Sequence, residues 1–277
     1  HKMKKKIKMI GLDLDGTLFN NKKEILPYTR EVLQRAIDKG IVVLVATGRP
    51  WSGVPDELKD LTGMRYAVTS NGARVIETKT QKALIEHLLP VEKAKKILET
   101  ARKYDTLQEV YFEGRGYIEE EQFEKMYQYH KNPYMWQYVR STRITVPDIV
   151  RFLDQLDKPV DKTQILFADM EERERAWKEL EQDKEIVLVG SLGYNIEING
   201  AGVNKGQALV ELGKILGIER EEIMACGDGD NDEAMLKEVG LGVAMENAEE
   251  QVKKAADYIT GTNEEEGAAK AIEKFVL

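Results

Sequence analysis

A short apolar run, Lys8-Met9-Ile10-Gly11-Leu12, leads into Asp13-Leu14-Asp15-Gly16-Thr17-Leu18. Side chains alternate faces along a strand, so Asp13 and Asp15 are expected to point one way and Leu14 the other. Two carboxylates at the open end of a buried strand repel one another and are costly to desolvate. A bound divalent cation relieves both penalties. An ordinary strand followed by an Asx-type turn has the same local pattern. These residues alone leave both readings open.

Other polar clusters follow apolar runs further along the chain. Thr47-Gly48-Arg49 follows Ile41-Val42-Val43-Leu44-Val45-Ala46, and Asn71-Gly72-Ala73 follows Tyr66-Ala67-Val68-Thr69-Ser70. A glycine-rich turn, 200–204, precedes Lys205-Gly206 and a helix to about Leu216. Glu222-Ile223-Met224-Ala225-Cys226 ends in Gly227-Asp228-Gly229-Asp230-Asn231-Asp232. Each cluster has a bland reading. Thr47-Gly48-Arg49 could be a capped turn, and Asp230 and Asp232 could serve only to favour a helix N-terminus. Lys205 could be a surface lysine, but a cation at a helix start opposes the dipole and points to an anionic neighbour. Together the clusters say more. Carboxylates at two strand ends form a hard oxygen site suited to Mg²⁺ with retained waters. The Thr47 hydroxyl, the Lys205 ammonium, the Asn231 amide and the backbone N–H groups from Leu14 to Thr17 suit a tetrahedral oxyanion. A metal, a carboxylate nucleophile and phosphate ligands imply phosphoryl transfer through an aspartyl-phosphate.

The elements that must position these residues read as a doubly wound α/β sheet. After the first strand, a helix is expected over 27–39, ended by Gly40. A strand over 41–46, a second helix to about Leu61 and a strand over 66–70 follow. In such sheets ligands sit outside the carboxyl ends of the strands, which gathers Asp13, Asp15, Thr47, Arg49 and Asn71 along one edge. Residues 74–88 read as a hairpin and exit strand. Between about Thr80 and Val189 the pattern changes to hairpins and amphipathic helices, the latter at 91–104, 121–130, 147–156 and 171–182, with further strands at 163–168 and 186–190. The α/β pattern is expected to return at 194–199 and to end in an amphipathic helix over 267–277. The predicted architecture is a Rossmann-like doubly wound parallel-sheet core, 1–82 and 190–277, with an inserted α+β domain, 83–189.

Bulk properties exclude several classes. The 277 residues carry 41 Lys+Arg against 49 Asp+Glu, a net charge of −8, which lacks the basic footprint of a nonspecific nucleic-acid binder. No apolar run approaches the about 20 residues that span a bilayer. The single cysteine, Cys226, and the histidines at 1, 87 and 130 provide neither a disulfide nor a zinc cage. His1-Lys2-Met3 reads as the end of an expression tag, and Lys4-Lys5-Lys6 as a solvated lead-in to the first strand. A cytoplasmic protein is expected. Arg115, Arg140 and Arg143 in the insert are candidates for meeting an anionic substrate, although exposed arginines are common.

The sequence resembles the haloacid dehalogenase-like hydrolase superfamily, and within it the Cof-type phosphatases with a large α/β cap between the second and third motifs. Asp13-Leu14-Asp15-Gly16-Thr17 resembles the first motif, Thr47-Gly48-Arg49 the second, Lys205-Gly206 the third, and 227–232 the fourth. The likeness extends to 70–73, 242–248 and 262–267. Gly229 departs from it, since many relatives carry a side chain there. The resemblance implies Asp13 as nucleophile and Asp15 as general acid and then base. It implies Mg²⁺ held by Asp13, Asp228 and the Asp15 carbonyl, with Asp232 orienting a metal-bound water. Thr47, Gly48, Lys205, Asn231 and the Leu14 backbone would bind phosphate, with Arg49 and Asn71 nearby. Metal and Lys205 should hold Asp13 ionised. The expected partner is a small phosphorylated metabolite, a sugar phosphate or phosphorylated cofactor. A phosphomutase on the same core and a non-enzymatic phosphometabolite-binding module are the competing readings.

Overall fold

A computed structural model describes residues 5–277, so the expectations for His1-Lys2-Met3 and Lys4 lie outside the described residues. The chain forms two compact units.

The first unit comprises 55–86, 204–277 and the chain up to Gly48. Its early elements are β1 (Met9–Leu12), α1 (Pro27–Asp38), β2 (Val42–Ala46), α2 (Asp56–Lys59), β3 (Tyr66–Thr69), β4 (Arg74–Glu77) and β5 (Ala83–Glu86). Proline at the first position of α1 and Lys39-Gly40 after its end explain its bounds, with Gly40 at φ +91°. The chain then leaves for the inserted domain. There it forms α3 (Val91–Ala101), β6 (Thr106–Phe112), β7 (Arg115–Glu119), α4 (Glu120–Glu124), α5 (Pro133–Thr142), β8 (Arg143–Val146), α6 (Ile149–Asp154), β9 (Lys162–Phe167), α7 (Met170–Leu180), β10 (Ile186–Val189) and β11 (Asn195–Gly200). It returns as α8 (Lys205–Leu216), β12 (Ile223–Gly227), α9 (Glu233–Glu238), β13 (Leu241–Ala244), α10 (Glu250–Ala255), β14 (Tyr258–Ile259) and α11 (Gly267–Phe275).

The first unit is built on an eight-stranded sheet in the order β14-β13-β12-β1-β2-β3-β4-β5. All pairings from β14 to β3 are parallel, and β4 and β5 add an antiparallel edge. The chain winds outward from β1 towards β5, then returns to lay β12 against the other side of β1. The topological switch therefore falls between β1 and β12, where doubly wound sheets bind their ligands. Met9, Leu44, Val68, Leu209, Ile223, Ala225 and Met235 are among the residues of one core cluster of this unit.

The second unit, 87–203 with 49–54, holds a six-stranded sheet in the order β10-β11-β9-β6-β7-β8. Alternation gives it two unlike faces. Val110, Ile165, Phe167, Ile196 and Ile198 pack with residues of α3, α6 and α7. Opposite them, Glu109, Lys162, Gln164, Asn195 and Glu197 are buried polar groups, joined by Arg143 from β8. Arg143 pairs with Glu109 and Lys162 with Glu197, each with side chains almost fully buried. Arg143 is thus an internal partner of Glu109, unlike the exposed arginine one would expect by default.

Several elements differ from the sequence expectation. β1 stops at Leu12, and 14–18 coil with Asp15 extended and Gly16 at φ +77°, so strand alternation does not set the directions of Asp13 and Asp15. The helix expected up to Leu61 is only a 3₁₀ turn, Trp51–Gly53, and the one-turn α2, because Pro50 and Pro55 break the segment. The expected helix over 121–130 divides into α4 and a 3₁₀ turn, Met126–Gln128. α5, β8 and α10 were not expected. β11 does not return to the parallel sheet: it pairs antiparallel with β9 and β10, so residues 190–203 belong to the second unit. Among the described residues no helix is long and apolar enough to cross a membrane.

Candidate active site

Every residue of the central cluster lies in the first unit. Asp13 directly follows β1, and its N–H donates to the Cys226 carbonyl of β12 at 3.1 Å. Lys205 is the first residue of α8, whose cap Asn204 accepts from the Gln207 N–H at 2.8 Å. Fully buried, the Lys205 ammonium lies 3.0 Å from Asp13 Oδ1 and 2.8 Å from Asp232 Oδ1. Two carboxylates thus answer the helix-dipole objection to a cation at that position. Burial pulls the Lys205 pKa down, but Asp13 and Asp232 outweigh it and the net shift is upward.

Asp232 is itself fixed by two main-chain donors. Its Oδ2 accepts from the Asp228 N–H at 2.9 Å and the Gly229 N–H at 3.1 Å. Asp228 accepts from the Thr17 hydroxyl at 2.9 Å. A Cβ on Gly16 would lie 2.1 Å from Asp228 Oδ2, so close approach and the positive φ both require glycine. The Gly16 carbonyl accepts from Asn247 Nδ2 at 2.9 Å, and Asn247 in turn accepts from the Asn263 N–H at 3.0 Å. The outlying segments around 247 and 263 therefore brace the Asp15-Gly16 turn.

Asp13, Asp228 and Asp232 each offer a carboxylate oxygen within 4.8 Å of the others. Such a donor set fits a hard divalent cation, because all three ligands are carboxylates and their proximity is unfavourable without positive charge. The protonation equilibria carry the same signature. Burial, then Asp232, pushes the Asp13 carboxyl well above the usual range despite Lys205 beside it. Burial and Asp232 push Asp228 up to about 8. Lys205 lowers the Asp13 carboxyl as expected, but by itself it does not offset burial and two neighbouring carboxylates, and the expectation of an ionised Asp13 rests on metal and Lys205 together. Cys226, pushed up to about 12 by burial and Asp232, is no nucleophile.

Asp15 stands apart from the three carboxylates. Half-buried, it pairs with Lys23 at 2.9 Å. Lys23 ends the polar run Asn20-Asn21-Lys22-Lys23, and its φ of +62° becomes visible only in three dimensions. Thr47 is buried, with Gly48 half-buried beside it. Its carbonyl accepts from the Asn71 N–H at 3.0 Å, and Asn71 Oδ1 accepts from Asn231 Nδ2 at 3.2 Å. The Leu14 N–H, expected to serve an oxyanion, donates to Asp13 Oδ1 at 2.8 Å. Arg49 belongs to the second unit, where its guanidinium lies 3.8 Å from the Tyr138 ring centroid and donates to the Gly53 carbonyl at 2.8 Å.

Comparison with known proteins decides the family. Residues 10–272 match the model of the haloacid dehalogenase-like hydrolases. The chain belongs to the haloacid dehalogenase-like hydrolase family. It is 32% identical to the 5-amino-6-(5-phospho-D-ribitylamino)uracil phosphatase YcsE of Bacillus subtilis over 272 residues, covering 98% of this chain and 96% of that one. Among solved structures, a haloacid dehalogenase-like hydrolase from B. subtilis superposes with a TM-score of 0.86 at 30% identity, covering 98% of this chain and all of the other. The subclass IIB sugar phosphatase BT4131 superposes with a TM-score of 0.82 at 26% identity, covering 97% and 98%. This haloacid dehalogenase-like hydrolase is, with its relatives, a phosphoric monoester hydrolase of the Cof type.

Proposed function

We propose that the protein hydrolyses small phosphorylated metabolites, sugar phosphates or phosphorylated cofactors, with Mg²⁺ and through a phosphoryl group carried on Asp13. The observation that carries this reading is the buried Lys205 ammonium held between Asp13 and Asp232 at the switch point of the sheet, within a cluster of three carboxylates. The substrate class rests on the relatives, one named for a phosphorylated ribitylaminouracil and one for sugar phosphates.

Asp13 and Asp228, with the main-chain carbonyl of Asp15, would hold the cation. When bound, it neutralises carboxylate repulsion and the charge that develops on phosphoryl oxygens. In the first step an Asp13 carboxylate oxygen attacks phosphorus as the bond to the ester oxygen breaks. Asp15 donates its proton to that oxygen, which leaves as an alcohol. In the second step water attacks phosphorus, Asp15 takes its proton, and the bond to Asp13 breaks to release inorganic phosphate. Lys205, Thr47 and Asn231 bind the phosphoryl oxygens. Lys23 steadies Asp15 electrostatically. Asp232 acts through Lys205 and the 228–229 main chain.

Phosphate release from a panel of phosphorylated metabolites, with and without Mg²⁺, tests the reading. Asp13→Asn is expected to lose roughly three orders of magnitude or more in kcat. Equal release by wild type and Asp13→Asn would sink it.

A further inference from the structure

The turn after β3 is strained and unusually well connected. Ser70 and Asn71 have φ of +49° and +63°, two consecutive residues with side chains in the left-handed region. Asparagine tolerates that region better than most, and such strain persists only where surrounding contacts over-determine it. Three contacts do so. The Asn71 N–H donates to the Thr47 carbonyl at 3.0 Å. Asn71 Oδ1 accepts from Asn231 Nδ2 at 3.2 Å. Gly72, at φ +108°, is packed so closely that a Cβ there would lie 2.6 Å from the carbonyl oxygen of Asn204, the residue before Lys205. One short turn therefore abuts the three segments that carry Thr47, Lys205 and Asn231, which come from the ends of different elements.

The contact to Asn231 also determines which way its amide faces. Asn231 is 7% exposed, and its Oδ1 has no hydrogen-bond partner among the described residues. An amide with one end anchored can rotate or flip only by breaking that anchor. We propose that Asn71 is a positioning residue: its side-chain carbonyl fixes the Asn231 amide, and its backbone N–H fixes the Thr47 main chain, for binding of the phosphoryl group. This inference rests on the phosphatase reading above and goes beyond it, because it assigns Asn71 to Asn231 and not to the substrate.

Asn71→Gly separates the two contributions. Glycine adopts positive φ without strain and keeps the N–H to Thr47, while the side-chain carbonyl is lost. Wild type, Asn71→Gly, Asn231→Ala and the double variant are compared in Tm, in inhibition by orthovanadate as a phosphate-shaped probe, and in kcat/KM for p-nitrophenyl phosphate. Asn71→Gly is expected to change Tm little, since relief of the left-handed strain offsets the lost hydrogen bond, and to weaken vanadate inhibition and kcat/KM about five- to tenfold. In the Asn231→Ala background the same change should cost less than about twofold, since its route of action is already gone. An equal loss in both backgrounds overturns the proposal, as does no loss, or a lowered Tm with unchanged vanadate inhibition. Vanadate binding by a wild type that hydrolyses no phosphoester overturns the phosphatase reading alone, with the cycle still read from vanadate affinity. Absence of vanadate binding in the wild type overturns both.

Discussion

Gly16 shows how narrowly single residues are constrained around the carboxylate cluster. Its φ of +77° already disfavours any side chain, and a Cβ would meet Asp228 Oδ2 at 2.1 Å. Gly16→Ala is therefore expected to displace Asp228 and Thr17 and to raise the Mg²⁺ concentration needed for half-maximal activity at least about tenfold. A titration of activity against Mg²⁺ measures this, and an unchanged midpoint would show that the site absorbs the methyl group. Lys205 makes the complementary case. Lys205→Met removes the cation between Asp13 and Asp232 and leaves two buried carboxylates facing each other, so activity and stability should fall together. The identities of Asp13, Lys205 and Asp228 were readable from the sequence because each follows an apolar run or opens a helix. Asp232 was legible only through the family resemblance, since by itself an acid at a helix start looks like ordinary N-terminal preference. Only its hydrogen bonds to the 228–229 amides and to Lys205 set it apart.

At the level of elements, the six-stranded sheet carries the sharpest energetic contrast. One face is apolar and packed with helices, while the other buries Glu109 with Arg143 and Lys162 with Glu197. Burial alone would push the Glu109 carboxyl up, but Arg143 beside it holds the net shift downward. Breaking a buried pair leaves an uncompensated charge and costs about 3–5 kcal/mol, whereas replacing both partners with apolar groups is much milder. Lys162→Met is thus expected to destabilise by that amount, and Lys162→Met with Glu197→Leu to recover most of it. Denaturant unfolding of the full chain measures both; equal stability of the single variant and wild type would contradict the ion-pair account. Charged residues inside these strands also hide from the sequence which sheet β11 joins. Its alternation, Asn195-Ile196-Glu197-Ile198-Asn199, says strand but not which sheet. That depends on pairing with β9, whose partner positions lie about thirty residues away. The helix expected after Thr47-Gly48-Arg49 does not form for a local reason: Pro50 and Pro55 interrupt the segment.

For the whole molecule, the carboxylate cluster couples stability to pH and to metal. Asp228 is raised to about 8 from an ordinary value of 3.8, and Asp13 is shifted in the same direction. An acid whose folded pKa is raised contributes stability that is fully present below its unfolded pKa and lost as pH rises through the folded value. The metal-free protein should therefore lose stability from these groups between about pH 4 and 8. Mg²⁺, which favours the ionised carboxylates, should raise Tm more at pH 8 than at pH 5. Asp228→Asn should flatten both trends. Tm measured in EDTA and in Mg²⁺ across this range tests the coupling, and a Mg²⁺ shift that is the same at both pH values would contradict it.

The sequence by itself determined the family, the order of the four motifs and the parallel α/β core. These depend on local patterns: buried apolar runs, glycine turns and helix caps that are legible residue by residue. Tertiary structure alone decided that Asp15 faces Lys23, that Asp232 shares the Lys205 ammonium with Asp13, and that Asn71 holds Asn231. It also decided that burial and the Asp232 carboxylate raise the Asp13 carboxyl against the lowering by Lys205. The reason is physical. A pKa and a side-chain partner depend on what lies within a few ångströms, and here those neighbours come from strand ends up to about two hundred residues apart.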